Sequence, residues 1–285
     1  MIERKIVHVL SHNVVMTKLS NGKNSIAFGK GIGFQKKPGM EVNENDIKQE
    51  FLLHTTEVLE HYEQILYAVD FKIIGVVEEV IAFAQSHLEG DFSETIHSAL
   101  VDHINLAIER CKRGLVISNP FMFEIQHLYR DEYRVAERAI DYLNDQLDVK
   151  LPQDEVAFLA MHFHGARSGG KGNKSVAELK MISRVLENGK HVGIDFDESL
   201  STVLFIGHLK GLIDRVRAGR TLNNPLLVQI REEYEEAYEK AIILAGWIAE
   251  GLEKADPQKK SDFLRCIWNG LFSGKMLAYE GRSNG

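Results

Sequence analysis

Hydrophobic positions follow a short period near the N-terminus and a helical period after it. Three short runs are rich in β-branched residues and are typical of strands: residues 5–10, 13–19 and 25–29. An Asn21-Gly22 pair separates the second run from the third, and this dipeptide is the strongest two-residue signal for a hairpin turn. The pattern predicts a small antiparallel sheet that ends near His54.

From residue 57 onward, apolar residues recur at intervals of three and four positions, which indicates helices. The predicted helical segments cover residues 59–66, 76–84, 93–113, 121–147 and 151–164. Pro152 in a first turn, with Asp154 and Glu155 directly behind it, is typical of a helix start. No strand pattern competes with these segments, so the rest of the chain is predicted to be helical.

The helical part contains one module written twice. Matching residues lie 105 positions apart: His103 and His208, Arg110 and Arg215, Gly114 and Gly219, Asn119-Pro120 and Asn224-Pro225, Tyr133 and Tyr238. Two copies are too few for a solenoid, so they predict two copies of one globular domain.

The predicted fold is multi-domain, with a small antiparallel β-sheet followed by two homologous helical bundles. The sheet domain is assigned to residues 1–56 and the bundles to residues 57–170 and 171–285. A polar, glycine-rich segment at residues 168–175 is predicted to be a flexible linker between the bundles.

Composition favours a globular protein that stays in the cytoplasm. Of the 285 residues, 44% are hydrophobic and 26% charged, and mean hydropathy is -0.18. No apolar run approaches the roughly 20 residues of a membrane span, and no signal-peptide pattern follows Met1. Cys111 and Cys266 stand outside any CxxC motif, so neither a disulfide, a metal nor another cofactor is predicted.

The net charge of -7 hides a segregation along the chain. Residues 1–40 hold seven basic residues and one acid, whereas the remainder carries a net charge of -13. Such asymmetry is typical of a nucleic-acid-binding segment on an acidic body.

Glycines alternate with larger residues where the third predicted strand ends. Gly29, Gly31 and Gly33 resemble a GxGxxG nucleotide motif only loosely, because a basic segment and not a helix follows them. Glycine allows close approach of another backbone, and neighbouring lysines can contact phosphates. Phe34 could stack on an unpaired base or pack in the small core. A sheet of about 55 residues buries little apolar surface, so a dimer is expected.

The repeated histidines are candidates for chemistry. Arg110 follows His103 by seven positions, which places both on about the same face of a helix. Arg215 follows His208 at the same spacing. A neutral imidazole can bind a metal, act as a base or accept a phosphoryl group, which an arginine can bind. Alternatively, the histidines are satisfied core residues and the arginines pair with acids on other helices.

Two further histidines, His162 and His164, share one predicted helix. Side chains two positions apart point about 200° apart around a helix, so the two cannot face one partner. This spacing argues against a shared metal site. One histidine is expected at an interface or site, and the other in packing or in solvent.

Several segments together carry a resemblance to a known family. They are Asn13-Val-Val, residues 29–37 (Gly-Lys-Gly-Ile-Gly-Phe-Gln-Lys-Lys), residues 95–110 with Asp-His-Ile-Asn, residues 151–162 beginning Leu-Pro-Gln-Asp-Glu, and the duplicated module. The combination closely resembles the BglG/SacY family of transcriptional antiterminators, over nearly the whole chain. Members join a co-antiterminator RNA-binding domain to two PTS regulation domains. The Gly-Lys-Gly-Ile-Gly-Phe and His-Phe-His segments resemble the glucose-operon branch more than the β-glucoside branch.

The resemblance implies a mechanism for the N-terminal domain. In this family a dimeric sheet binds a hairpin in the mRNA leader that overlaps a terminator, so the terminator does not form and sugar-uptake genes are transcribed. By similarity, RNA contacts are implied at Asn13, Gly29, Lys30, Gly31, Phe34 and Gln35.

The resemblance also implies control by histidine phosphorylation. The matching histidines are His103, His162 and His208, and the residues beside the phosphoryl groups are Asp102, Arg110 and Arg215. In the family, the sugar permease (enzyme II) inactivates through the first regulation domain, and the phosphocarrier HPr activates many members through the second. His97 and His127 match no family site and are expected to be packing or surface residues.

The second copy departs from the family pattern, because Ile267 and Asn269 stand where the first has His162 and His164. The fourth phosphorylation site is missing, so activation by HPr is not implied for this chain. Two alternatives to an antiterminator remain. A DNA-binding activator with the same regulation domains would need an N-terminal helix-turn-helix, and a metal-dependent hydrolase would need Asp102, His103 and His162 together. The favoured interpretation is a regulator and not an enzyme.

Overall fold

The chain begins with a four-stranded antiparallel sheet in the order β1-β2-β3-β4. The computed structural model describes residues 3–167, 172–197, 199–218, 229 and 232–255. The strands are β1 (Arg4–Val9), β2 (Val14–Leu19), β3 (Asn24–Phe28) and β4 (Gln49–Leu53). Gly22, with φ at +84°, lies in the turn between β2 and β3, as the Asn21-Gly22 pair predicts.

The fourth strand was not predicted, because its first residues are polar. Glu50 of β4 accepts two hydrogen bonds from Arg4, at 2.9 Å from Nε and 3.0 Å from the guanidinium Nη2, and a third from Ser25 at 2.8 Å. Arg4 is only 7% exposed, and a buried charge needs such a partner. Arg4 therefore stabilises the sheet, and its charge is neutralised by Glu50.

Both faces of the sheet are covered. One face carries a small core of Ile6, Val15, Ala27, Ile32 and Val42. The other face meets helices, with the rings of Phe51 and His97 centred 4.9 Å apart and those of His8 and Phe71 5.9 Å apart. The burial that a dimer was expected to supply thus comes at least partly from helices of the same chain.

Six helices follow the sheet: α1 (Thr56–Ala68), α2 (Phe71–His87), α3 (Thr95–Lys112), α4 (Met122–Leu128), α5 (Arg130–Leu147) and α6 (Asp154–Arg167). Several of these helices begin or end at residues whose local conformation or side-chain hydrogen bonds favour a helix terminus. The Asp70 carboxylate accepts from the Lys72 amide at 2.7 Å at the start of α2, and Asp148 takes a left-handed conformation after α5. The segment predicted as one helix over 121–147 is interrupted at Tyr129, where ψ is 51°.

Two compact units divide the chain. The first combines residues Met1–Met122 and Tyr129–Gly172, and the second combines Phe123–Leu128 and Asn173–Gly285, within the described ranges. The second unit contains α7 (Gly172–Asn188), α8 (Leu200–Arg217) and α9 (Glu235–Ala255). Its core includes Ile182, Ile206, Ile213 and Leu244. The domain borders at 56 and 170 stay predictions.

The segment predicted as a linker, residues 168–175, overlaps the start of α7. Residues 172–175 belong to α7, so the prediction of a flexible segment through residue 175 was wrong, and residues 168–171 lie outside the described residues. Glycine lowers helix propensity, but the apolar residues farther along α7 supply the packing that outweighs this cost. Among the described helices, none is both long enough and apolar enough to span a bilayer.

Candidate functional site

His103 and Arg110 of α3 share one carboxylate, Glu155 of α6. His103 Nε2 lies 2.8 Å from Glu155 Oε2, and an Arg110 guanidinium nitrogen lies 2.9 Å from Glu155 Oε1. Burial alone would raise the pKa of the Glu155 carboxyl, but the hydrogen bonds and charges of His103 and Arg110 outweigh it and lower that pKa below its ordinary value. The seven-residue spacing therefore does bring His103 and Arg110 to one place, through an acid that the sequence did not single out.

The shared carboxylate also sets the tautomer of His103. An ionised carboxylate only accepts hydrogen bonds, so Nε2 of His103 must carry the proton that it donates to Glu155. In the neutral ring the lone pair is then on Nδ1. A carboxylate that accepts from one ring nitrogen in this way fixes the tautomer and the orientation of the imidazole.

His162 of α6 joins the same cluster. Its ring centre lies 4.8 Å from that of His103. Burial, followed by the charge of His103, lowers the pKa of His162 to about 4, against a smaller opposing effect of Glu155. His162 is therefore neutral near pH 7. The packing of α3 on α6 therefore brings His103 and His162 together.

His164 takes the other side of α6, as its spacing from His162 predicts. Its Nδ1 lies 3.1 Å from Glu132 Oε1, and its ring lies over Tyr129 with centres 4.0 Å apart. Arg167 donates to the same Glu132 oxygen at 2.6 Å. Burial would raise the pKa of Glu132, but the hydrogen bond from His164 and the positive neighbours lower it. His164 is thus part of a separate packed network.

Asp102 lies apart from this cluster, although the sequence placed it beside the phosphoryl group. Its carboxylate is 3.0 Å from His61 Nε2 of α1. Adjacent residues on a helix point about 100° apart, so Asp102 and His103 serve different neighbours. The set of Asp102, His103 and His162 that a hydrolase would need is not assembled. Across the part of the chain that the structure describes, no group of three or more His, Cys, Asp or Glu is arranged to hold a metal ion.

In the second unit, His208 is exposed on α8. Arg215, seven residues later on the same helix, is half-buried. Sequence reasoning missed the acid that organises this helix: Glu178 of α7 accepts from Lys210 at 2.8 Å and from Arg217 at 2.8 Å. Glu178 is only 4% exposed. Ile267 and Asn269, on which the missing fourth histidine was argued, lie outside the described residues, as does Cys266.

The glycines beyond β3 allow the close approaches that were predicted. A Cβ on Gly29 would lie 1.9 Å from the Asp46 carbonyl oxygen, and a Cβ on Gly33 would lie 2.2 Å from that of Ser11. Gly31 has φ at +70°, a conformation that favours glycine. These three positions shape the loop of residues 29–35, called here the glycine loop.

The glycine loop and the turn between β1 and β2 form one exposed edge. Asn13 Oδ1 accepts a hydrogen bond from the Gly31 amide at 3.0 Å. Phe34 is 56% exposed and contacts His12 edge to face at 5.5 Å, whereas Ile32 is buried in the sheet core. Of the two interpretations of Phe34, packing in the core was therefore the wrong one.

The other residues predicted for this edge divide by exposure. Lys30 and Gln35 are exposed, and Gln35 has φ at +56°, which is uncommon for a residue with a side chain. Gly29 is buried, and its amide donates to the Asn13 carbonyl at 3.0 Å. The edge therefore presents the side-chain amides of Asn13 and Gln35, the ammonium group of Lys30 and the ring of Phe34 together. Gly29 is buried beneath the loop and hydrogen-bonded to Asn13.

Comparison with known proteins decides which family these features belong to. A family model described as CAT RNA binding domain matches residues 4–60, and the PRD domain model matches residues 78–166 and 181–258. The transcription antiterminator LicT of Bacillus subtilis (strain 168) is 33% identical over 240 residues, which cover 82% of this chain and 87% of LicT. The chain belongs to the CAT–PRD family of transcription antiterminators.

Other members of the antiterminator family agree with this assignment. Protein GlcT of Staphylococcus haemolyticus (strain JCSC1435) is 30% identical over 88% of this chain and 89% of its own length. The beta-glucoside operon antiterminator of Dickeya chrysanthemi is 29% identical over 82% of this chain and 84% of its own length. A crystal structure of GlcT CAT-PRDI matches 58% of this chain and 99% of that chain, with 32% identity and a TM-score of 0.51.

Membership in the antiterminator family defines the activity. The protein is a transcription antiterminator that binds RNA through its CAT domain and is regulated by the sugar phosphotransferase system through its PRD domains. The DNA-binding alternative is thereby excluded, since a four-stranded sheet stands where that class carries a helix-turn-helix. The relatives named LicT, GlcT and beta-glucoside operon antiterminator have similar identities, so the glucose-operon branch stays a prediction.

Proposed function

We propose that two copies of the CAT sheet bind a hairpin in the leader of a sugar-uptake transcript, and that this keeps an overlapping terminator from forming. The proposed RNA contacts are Asn13, Gly29, Lys30, Gly31, Phe34 and Gln35. The observation that carries this proposal is the exposed edge where Asn13 is tied to Gly31 and Phe34 stands 56% exposed. Acting on nascent RNA, the protein would work in the cytoplasm, as a regulator that catalyses no reaction of its own.

Each proposed contact has a distinct role in binding. Phe34 offers a face for an unpaired base of a loop or bulge, because stacking needs an exposed ring. Lys30 neutralises phosphate, and backbone groups at Gly31 allow the RNA to approach closely. Gly29 acts indirectly by holding the loop against Asp46. Two such edges related by a twofold axis would grip both sides of one hairpin.

The proposed control is phosphorylation of His103, His162 and His208, within PRD domains whose borders we place at 57–170 and 171–285. At His103 we infer attack by Nδ1, since Glu155 holds the proton on Nε2. The Nδ1 lone pair forms the N–P bond while the donor's bond to phosphorus breaks, and the electron pair of that bond leaves with the donor. Glu155 then stabilises the positive charge on the ring.

The added charge would change how α3 packs on α6. A phosphoryl group brings nearly two negative charges, and at a half-buried contact these are costly unless a cation pairs with them. Arg110 is a cation that shares the Glu155 carboxylate with His103. A phosphoryl group that draws Arg110 from Glu155 would alter the contact between the two helices, with His162 beside it.

We assign the donors by domain. The permease enzyme II would phosphorylate His103 and His162 and thereby inactivate the protein. HPr would act on His208, which is exposed on α8 and is followed seven positions later, on about the same face of that helix, by Arg215. The second copy would then depend on His208 alone, because Ile267 and Asn269 replace the other histidines.

The test is RNA binding by the full chain. A gel-shift assay would use a hairpin RNA from the leader of a neighbouring sugar-transport gene, with the same sequence as DNA for comparison. Tight binding of RNA alone is expected, and Phe34→Ala should weaken it at least tenfold, whereas Tyr67→Ala, at a 91% exposed ring on α1, should not. Equal binding of RNA and DNA, or equal effects of the two substitutions, would refute the proposed interface. Leaders of glucose and β-glucoside operons would separate the two branches.

A further inference from the structure

The turn between β1 and β2 is held by an acid of the regulation domain. Glu79 of α2 accepts hydrogen bonds from Ser11 Oγ at 2.7 Å and from the Asn13 side-chain amide at 3.2 Å. The hydroxyl of Tyr142, on α5, donates to the other oxygen of the same carboxylate. Three donors from two domains therefore converge on Glu79, and sequence reasoning gave this residue no role.

The backbone of α2 lies very close to the backbone of the turn between β1 and β2 at this contact. A Cβ on Gly75, one turn before Glu79 on α2, would lie 2.3 Å from the carbonyl oxygen of Leu10. Only glycine lets α2 come this near to the turn. A cleft of about 420 Å³ adjoins the contact and is lined by Asn13, Glu79, Arg138 and Tyr142 among others. Burial, followed by the hydrogen bond to Glu79, raises the pKa of Tyr142.

The contact occupies groups that RNA binding would use. Asn13 Oδ1 already accepts from Gly31, and one of the two hydrogens on its amide nitrogen is directed to Glu79. The carboxylate also adds a negative charge at an edge that has to receive phosphates. Charges a few ångströms apart at a protein surface are screened only in part at ordinary salt.

We propose that Glu79 is an internal competitor of RNA, which holds the Asn13 turn in a state of lower affinity until α2 releases it. This inference rests on the proposed role of Asn13 in RNA binding. It gives the regulation domain a direct means of acting on the RNA-binding edge. Movement of α2 by less than the length of a side chain would free the Asn13 amide. It would also move the Glu79 carboxylate away from the edge where RNA phosphates are proposed to bind.

The experiment compares full-length wild type with Glu79→Gln, Glu79→Ala and the control Glu60→Gln, which makes the same charge change at an exposed site on α1. Affinity is measured by gel shift with the leader hairpin RNA at low and moderate salt. Both Glu79 variants are expected to bind about three to ten times more tightly than wild type, with the larger effect at low salt. Glu60→Gln should match wild type.

The outcomes separate this inference from the function it rests on. If wild type binds RNA and Glu79→Gln binds it equally or more weakly, the proposal that Glu79 competes with RNA is refuted. The proposed RNA interface would not be affected by that result. Failure of wild type and of every variant to bind RNA would overturn both. Should Glu79→Ala fold poorly by thermal unfolding, Glu79→Gln decides the matter, because the amide keeps the size of the side chain and one acceptor oxygen while it removes the charge.

Discussion

The Glu78 carboxylate accepts a hydrogen bond from His97 Nδ1 at 2.7 Å, with both side chains fully buried. Tyr62 donates to the other oxygen of Glu78 at 2.7 Å, so α1, α2 and α3 meet at one acid. Burial, and after it the negative charge of Glu78, raises the pKa of Tyr62 well above its ordinary value. His97 also lies against Phe51 of β4. This expected packing histidine therefore joins the helix that carries His103 to the sheet.

Removal of Glu78 should destabilise the first unit strongly. Glu78→Ala leaves the Tyr62 hydroxyl and the His97 imidazole buried without their partner, which costs about 3 kcal/mol in the free energy of unfolding. The exposed Glu57→Ala on α1 should change it by less than about 0.5 kcal/mol. Urea unfolding followed by circular dichroism measures both. A loss below about 1 kcal/mol for Glu78→Ala would show that the network contributes little.

Substitution of the proposed phosphorylation sites should separate charge from loss of the acceptor. His103→Asp and His162→Asp add negative charge between α3 and α6 and should lower antitermination in a terminator-reporter strain, whereas His103→Ala and His162→Ala should make it constitutive. His87→Asp, at an exposed position on α2, serves as the control for a charge placed elsewhere. Full activity from all four site variants would rule out control through these histidines.

The tautomer of His103 leads to a spectroscopic prediction. Because Glu155 holds the Nε2 proton, phosphorylation by purified phosphotransferase components should produce the Nδ1 isomer of phosphohistidine, which ³¹P NMR distinguishes from the Nε2 isomer. Glu155→Gln keeps an acceptor but loses the charge that stabilises the ring, so its phosphorylation should slow about tenfold or more. A signal from the Nε2 isomer alone would contradict the inferred geometry. The control Asp154→Asn changes the neighbouring acid.

Stability should depend on pH through His162. Folding lowers its pKa from 6.5 to about 4, so between these values the unfolded chain binds a proton that the folded protein does not. The contribution of His162 to stability is therefore fully present above pH 6.5 and is lost as the pH drops toward 4, by on the order of 3 kcal/mol. Urea midpoints of His162→Gln should show a flatter profile in this window than those of wild type or His87→Gln. Parallel profiles would mean that His162 titrates normally.

RNA affinity should fall steeply with salt if lysines contact phosphates. A plot of the logarithm of affinity against the logarithm of salt concentration should lose about one unit of slope in Lys30→Gln, since each neutralised phosphate contributes a slope near 0.9. Lys180→Gln, at an exposed position on α7, should leave the slope unchanged. A slope that Lys30→Gln does not alter would remove this lysine from the interface.

Elements whose signals are local could be read from the amino-acid sequence alone. The Asn21-Gly22 turn, the helical spacing around Tyr62 and Val77, and the repeat of His103 at His208 each depend on residues near one another in the chain, and the resemblance placed them in a family. The alternating glycines predicted close backbone approach, and Gly29 and Gly33 show it. Local geometry also separated His162 from His164, since two positions on a helix face different sides.

The residues that complete each site from distant parts of the chain became apparent from the tertiary structure. Glu155 joins His103 to Arg110 across 52 and 45 positions, Glu79 reaches Asn13 across 66, and Glu50 reaches Arg4 across 46. β4 was missed for the same reason, because its polar residues are satisfied by a strand far away in the chain. In the sequence, an acid on a solvated face cannot be distinguished from an acid in a buried ion pair. Its partner is set by how whole helices and strands pack. The acids that organise the sites therefore became visible only once the helices and the sheet had been brought together.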